Sequence, residues 1–465
     1  MTPGDDGLPL PQRRIAMLSI LAFSVMGIFS TSLVTIALPT IAREMAATES
    51  ASVWIVSSYQ LAVAASMLAF SGVGALVGLR PVFIGGLAVF TAASFACMLA
   101  TSLSMLIGLR FLQGLGAAAA TCVTPALFSR IYPQRMLGQA LGLNALVVAV
   151  AMAVGPALGG VVVAHAHWPW LFAVQAPIGL AILPLLYRTL PREPRRQHRF
   201  DWGGATSSVV GVGLLVLAMN QLGRPAGLTD GAVLLLCAVV ALGVFLRTQQ
   251  AATAPLLPLE LLHHARFRAA TVASVLANVG QGMALISLPF LLQVSYGLGV
   301  LKSGLLLTAM PAAIMVAAPV SGRLSDRIGS ASLASAGLLF VAAGLALLAA
   351  LDPRSATDLD IVLRVFLCGL GFGMFQTPNN REFLSGVDGR YLGQASGMLS
   401  FSRNMGLTVG ATLVSIALAL QVAGPVGEAG ASGVHRLCLW AAAGATLAAT
   451  FVSSWRLRWS GRAAS

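Results

Sequence analysis

Apolar runs of about twenty residues, separated by short polar or charged stretches, follow one another along nearly the whole chain. A helix needs about 20 apolar residues to cross the hydrocarbon core of a bilayer, so the pattern predicts roughly a dozen or more crossings joined by short loops. The first run is Ile15 to Leu38, and two in the middle are Gly203 to Leu222 and Gly231 to Leu246. The stretch Leu109 to Gly160 reads as two apolar helices joined by a short arginine-bearing loop, rich in glycine and interrupted by Arg110. Membrane helices associate where small residues let backbones approach, and Gly155 and Gly159, four apart, supply such a groove. An arginine at membrane depth costs about 2.5 to 3.5 kcal/mol even on insertion scales, so Arg110 is expected to face a protein interior or a wet cavity. Arg110, Gln113, Ala117, Thr121 and Thr124 fall on one helical face and can share that cavity.

Composition agrees with this pattern. The chain is 57% hydrophobic and 9% charged with a mean hydropathy of +0.86, far from the roughly 25% charged residues of a soluble domain. It reads as an all-α integral membrane protein. The net charge of +13 lies in loops between apolar runs, which fits membrane topology and argues against nucleic acid as a partner. Most Lys and Arg fall on one face if both termini share it, which predicts cytoplasmic termini in an inner (plasma) membrane. The basic loop from Arg188 to Arg199 then orients the protein and meets lipid head groups. A polar leader ending at Arg13 and Arg14 before an apolar run is also the plan of a signal peptide, but this run is longer than a signal core. The five cysteines sit in apolar runs without paired spacing and read as small buried hydrophobes. No nucleophile and base pair, metal set or phosphate loop stands out, so neither an enzyme nor a cofactor or metal is expected. A monomer is expected.

The chain also repeats itself. Arg135, Leu137, Gly138, Gln139, Ala140, Gly142 and Gly155 match Arg390, Leu392, Gly393, Gln394, Ala395, Gly397 and Gly410 at a constant offset of 255. Six spans with loops need roughly 190 residues, so this offset leaves room for two extra helices between two six-helix halves. The predicted division is 1–187 for the first half, 188–250 for a linker and the inserted pair, and 251–465 for the second half.

Several motifs resemble one family. Leu109-Arg110-Phe111-Leu112-Gln113-Gly114-Leu115-Gly116 resembles the fourth-helix motif of major facilitator superfamily transporters. Gly155-Pro156-Ala157-Leu158-Gly159-Gly160 resembles the fifth-helix motif of the superfamily's antiporters, and Trp54 to Leu61 and Arg199-Phe200-Asp201-Trp202-Gly203 are similar to stretches of the fourteen-span drug:proton antiporter branch. Ser321-Gly322-Arg323-Leu324-Ser325-Asp326-Arg327-Ile328-Gly329 preserves the family's loop motif, whereas its first-half counterpart keeps only glycines and Arg80. The resemblance implies a charge cluster of Arg323, Asp326 and Arg327 that latches one conformation, and none around Arg80. Ala37-Leu38-Pro39 resembles the close of the first-helix motif, but Ser30 and Thr35 stand where the family has an aspartate and an asparagine.

The resemblance implies a small-molecule site near the midplane, where repeat-built transporters bind substrate. Its polar candidates are Ser30, Tyr59, Arg110, Gln113, Asn144, Asn278, Gln281, Gln376, Arg403 and Asn404. None of the fifteen acids falls in the middle of a predicted span, and the six histidines lie in loops or at span ends. Proton-coupled pumps usually relay through an embedded carboxylate or histidine. Here the nearest acids are Glu44 and Glu382, so the proton is only a candidate coupling ion. The expected function is export of small amphipathic compounds. Its rivals are transport of an organic anion or metabolite, favoured by an arginine-lined cavity, and a transport-inactive sensor or partner subunit, favoured by the eroded loop motif. With Ser30 in place of the aspartate, neutral or anionic compounds should be handled better than cations, and Ser30→Asp should shift that preference.

Overall fold

The computed structural model describes residues 7–133, 136–191, 201–222, 228–251, 259–352, 356–384, 392–422 and 429–456. Their helices are α1 (Leu10–Glu44), α2 (Glu49–Val77), α3 (Leu79–Met98), α4 (Leu103–Ile131), α5 (Leu137–His165), α6 (Trp170–Ala173), α7 (Gln175–Thr189), α8 (Trp202–Leu222) and α9 (Leu228–Ala251). They continue as α10 (Leu259–His263), α11 (Ala265–Phe290), α12 (Val300–Leu307), α13 (Ala309–Ile328), α14 (Ser330–Ala349), α15 (Asp358–Leu384), α16 (Leu392–Val422) and α17 (Ala429–Trp455). Among the described residues, eleven helices are long and apolar enough to cross a membrane by composition alone. Helices α2, α8 and α15 have 29, 21 and 27 residues, and each also reaches across the roughly 20-residue hydrocarbon core. With α6 and α7 forming one broken crossing, and α12 and α13 another, the protein is an all-α membrane bundle of about fourteen crossings.

The first crossing is longer than its apolar run. It starts at Leu10, with Pro11 near its N-terminus, where a missing N–H costs nothing, and continues through Pro39 to Glu44. Proline in mid-helix removes one hydrogen bond, but neighbouring helices in a bundle can tolerate the break. The chain leaves α2 through Gly78 at φ +100 and α13 through Gly329 at φ +86, left-handed turns that favour glycine. Asp201 caps α8 by accepting the Gly204 N–H at 2.7 Å, and its other oxygen accepts Gln249 Nε2 at 2.7 Å, which ties the start of α8 to the end of α9.

The helix pairings recur along the chain. Helix α1 packs on α5 and α7 as α11 packs on α16 and α17, and α3 on α4 as α14 on α15. Glycine contacts recur with them. A Cβ on Gly86 would lie 2.7 Å from the Gly116 carbonyl, and one on Gly337 would lie 2.6 Å from the Gly371 carbonyl. The expected groove is present on α5: a Cβ on Gly155 would run into Ser32 of α1, and one on Gly159 would lie 2.5 Å from Ile36 Cγ2 and 3.1 Å from Leu33 Cα. Gly159→Leu should therefore separate α1 from α5 and cost about 1 to 3 kcal/mol by overpacking. Ala149→Leu, on another face of the same helix, should leave stability close to normal. Thermal unfolding of the two variants, measured side by side, checks this, and equal damage from both would remove glycine spacing as the cause.

The two membrane faces differ in packing. On the face opposite the start of α1, a single apolar cluster joins both helix sets: Leu33, Leu38, Val53 and Phe172 belong with Leu288, Phe290, Leu306 and Phe372. On the N-terminal face the apolar contacts divide, one cluster running from Ala16 to Leu190 and others holding Phe267 with Phe383 and Ala273 with Ala449. Among the described residues the bundle is therefore sealed on the opposite face and parted on the N-terminal face, apart from a small cluster in which Phe401 and Met405 pack against Leu61, Ala65, Val212 and Val216.

Candidate functional site

A cavity of about 430 Å³ lies between the two helix sets, walled by α1, α2, α4, α5, α11, α12, α13 and α16. Most of its wall is apolar, with Phe23, Ile28, Met67, Phe128, Met152 and Leu288 among the lining residues. Of the sequence candidates, Tyr59, Asn144, Gln281, Arg403 and Asn404 line it. Among the described residues Arg403 is its one charged lining residue, and no hydrogen bond or ion pair among them meets its guanidinium. Asn404 is held locally, Nδ2 donating to the Ser400 carbonyl at 2.9 Å, and Asn144 Oδ1 accepts the Ser24 hydroxyl at 3.0 Å. Gln60 and Gln281 belong to this wall, and the side-chain carbonyl oxygen of each is buried without a hydrogen-bond partner among the described residues.

Ser30, Arg110, Gln113, Asn278 and Gln376 are not on the lining. Arg110 is fully buried beyond Tyr59, about two turns from the start of α4. Its Nε donates to the Ile55 carbonyl at 3.0 Å, and its Nη1 donates to Ser30 Oγ and to Gln113 Oε1, each at 2.6 Å. The guanidinium stands 4.4 Å from the Tyr59 ring centroid, a cation–π contact, while Nη2 has no partner. Gln113 continues the network to Ser94 Oγ at 2.7 Å. The polar stripe of α4 is thus divided. Ala117, Thr121 and Thr124 line the cavity, whereas Arg110 and Gln113 lie toward the sealed face and tie α1, α2, α3 and α4 together. This arrangement corrects the expectation for Ser30. An aspartate there would meet Arg110 Nη1 and would not present a counter-charge to the cavity. Asn278 bonds its own helix at Ser274, 2.7 Å away.

Arg80, around which the resemblance implies no charge cluster, is buried, donates to the Tyr187 carbonyl and lies 4.9 Å from the Tyr187 ring centroid, so it fastens α3 to the end of α7. Arg323 and Arg327 are exposed, and the Asp326 side chain lies outside the described residues. Gly322 comes close to Thr377 of α15, where a Cβ would sit 3.4 Å from the threonine methyl. Nearby, Arg381 Nη1 donates to Ser325 Oγ at 3.3 Å. The Pro156 carbonyl abuts Gly304, and a Cβ on Gly160 would lie 3.0 Å from Leu301 Cα, so the fifth-helix motif also touches the second helix set.

The sequence reading missed Phe23, Thr31, Gln60 and Met152 as lining residues, because an apolar or hydroxyl side chain on a lipid-length helix carries no mark of which face looks inward. His435 lies at the start of a span, as expected, but is fully buried there, with Nε2 at 3.0 Å from Glu49 Oε2.

Similarity to known proteins decides the family. The Major Facilitator Superfamily profile matches residues 18–411. The chain belongs to that superfamily. Among curated relatives of this major facilitator protein, the uncharacterized transporter YebQ of Escherichia coli (strain K12) is 39% identical over 97% of this chain and 97% of its own. Multidrug resistance protein Stp of Mycobacterium tuberculosis (strain CDC 1551 / Oshkosh) is 31% identical over 87% of this chain and 76% of its own. Riboflavin transporter RibZ of Clostridioides difficile (strain 630) is 29% identical over 87% and 88%. A crystal structure of a point mutant of the nucleoside transporter NupG superposes with a TM-score of 0.65 at 13% identity, covering 95% of this chain and 98% of its own, a likeness of fold. The protein is a multi-pass membrane transporter of this superfamily.

Proposed function

We propose that this protein exports small amphipathic compounds by alternating access, favouring neutral or anionic molecules over permanent cations. The single observation that carries the reading is the cavity: mostly apolar walls, a few hydrogen-bonding groups and Arg403 as the one charged lining residue among those described. An apolar pocket accepts hydrophobic bodies of varied outline, and an unpaired guanidinium in a low-dielectric site repels cations and attracts anions. Residues 1–187 and 251–465 act as two six-helix halves that rock about the cavity, with 188–250 as linker and inserted pair. Helix α8 packs against both α2 and α16, a position from which the pair supports the junction. The N-terminal face is cytoplasmic by its basic loops, so the parted face is the one that takes substrate from the cell. Relatives named for multidrug resistance and for tetracenomycin C export support this direction.

Arg403 and the relative named as a riboflavin transporter also support a second reading, a dedicated carrier of an organic anion or metabolite. Growth tests of a deletion strain and an expressing strain against cationic, neutral and anionic toxic compounds separate these. The exporter reading expects protection against several neutral and anionic compounds and little against quaternary ammonium dyes. Protection against one anion alone supports the dedicated carrier. Pumping of a quaternary ammonium dye against its gradient would contradict both, and no effect of any kind would favour a transport-inactive sensor.

A further inference from the structure

The sealed face is fastened across the two halves by polar groups that the cavity does not use. At the start of α2, Ser50 Oγ donates to the Ser415 carbonyl at 3.0 Å, and Ser415 Oγ donates back to the Ser50 carbonyl at 3.1 Å. Next to this pair, Glu49 of α2 meets His435 of α17 at 3.0 Å. The His435 side chain has no exposure, whereas that of Glu49 is 29% exposed. The imidazole lies flat on Phe290 of α11, ring centroids 5.3 Å apart at an interplanar angle of 6°, and its Nδ1 has no hydrogen-bond partner. One titratable ring thus bridges α2 of one half and α11 and α17 of the other, at the seam that must open when the cavity turns to the opposite side.

Other ionisable groups near this seam have other partners. The far end of α11 and its π-helical extension (Leu291–Ser295) carry none, nor does α14. On α16 the sole charged side chain is Arg403, in the cavity wall. Beyond the π turn, Tyr296 Oη donates to the Leu351 carbonyl at 3.0 Å, and Arg436 donates to the same carbonyl. Arg364 of α15 donates to the Leu347 carbonyl, and Asp352 follows Leu351 in that loop. Cys438 lies one turn along α17 and is buried. On α2, Tyr59 is the next titratable group after Glu49, and it lies under Arg110.

We infer that the Glu49–His435 pair is a proton-binding site that reads the pH of the compartment beyond the sealed face and sets whether that face is closed. With the face closed, a proton added to the imidazole nitrogen not engaged by Glu49 turns a hydrogen bond into an ion pair across the seam. The exposed edge of Glu49 is its route to water. With the face open, both groups stand in water, the ion pair is broken and the imidazole gives the proton up. Closure therefore takes up one proton and opening releases it. By linkage, acid on that side favours the closed state, and each pH unit across the transition shifts the open-to-closed ratio by at most about tenfold.

The inference rests on the alternating-access reading but not on any substrate, so the test reads the gate itself. Spin labels at Thr48→Cys and Gly433→Cys, both exposed positions on that face, are placed in a background with the native cysteines replaced and an unchanged unfolding temperature. Distance distributions are recorded between pH 5.5 and 8. The short, closed distance should dominate at pH 5.5, and a longer one should grow by severalfold to tenfold toward pH 8. His435→Gln and Glu49→Gln should each flatten the response. Asp358→Asn, which breaks the exposed Lys302–Asp358 pair of 2.7 Å, should leave it unchanged. A long-distance population that ignores pH, or one whose pH response survives His435→Gln, overturns the inference while alternating access stands. A single short distance at every pH overturns both.

Discussion

Arg403→Gln is expected to lower transport of anionic compounds at least about tenfold in kcat/KM, to leave neutral compounds near their original rate and to admit lipophilic cations that the natural chain excludes. Unit charges 4 Å apart interact by about 4 kcal/mol at an effective dielectric of 20. Water entering through the parted face lowers this toward about 1.4 kcal/mol, which is still a factor of ten. Among the described residues no acid lines the cavity to offset the arginine, so the removed charge changes the sign of the preference and not only its size. Arg403→Lys keeps the charge and should retain most anion transport. Uptake into inverted vesicles, with three compounds of matched size and different charge, checks the series. Equal losses for all three would mean that Arg403 holds the helices together and does not meet substrate.

The other large effect is expected at Arg110. Arg110→Ala should abolish transport of every substrate class alike and lower stability by about 3 kcal/mol. Its bonds to the Ile55 carbonyl, Ser30 and Gln113 are charge-assisted, and their buried partners would be left unpaired. Desolvation of the unpaired Nη2 offsets part of this cost. Arg110→Lys should fail nearly as badly, because an ammonium cannot span acceptors on α1, α2 and α4 at once as the guanidinium fork does. Ser30→Asp should instead pair with Arg110, stiffen the same junction and leave substrate charge preference unchanged. Thermal unfolding with parallel transport assays tests this, and a charge-selective loss in Arg110→Ala would move Arg110 back into the substrate path.

That this is a helical membrane protein, and roughly where its helices run, was legible from the chain because lipid demands long apolar segments and every such segment is written locally. The two helices expected at Gly203 to Leu222 and Gly231 to Leu246 run Trp202–Leu222 and Leu228–Ala251. The glycine groove of Gly155 and Gly159 was legible for the same reason: small residues at fixed spacing specify close backbone contact without reference to the partner. What spacing cannot give is how deep in the bundle a helical face lies, or what stands opposite it. Arg110, Gln113, Thr121 and Thr124 share one face, yet packing at the sealed end buries the first two in a network with Ser30 and leaves the others on the cavity wall. Arg403 read as a candidate for the substrate site and His435 only as a residue in a loop or at a span end. Tertiary structure alone placed one unpaired in the cavity and the other against Glu49, a residue 386 positions away, because contacts between halves depend on how separate helices dock and leave no periodic trace in either.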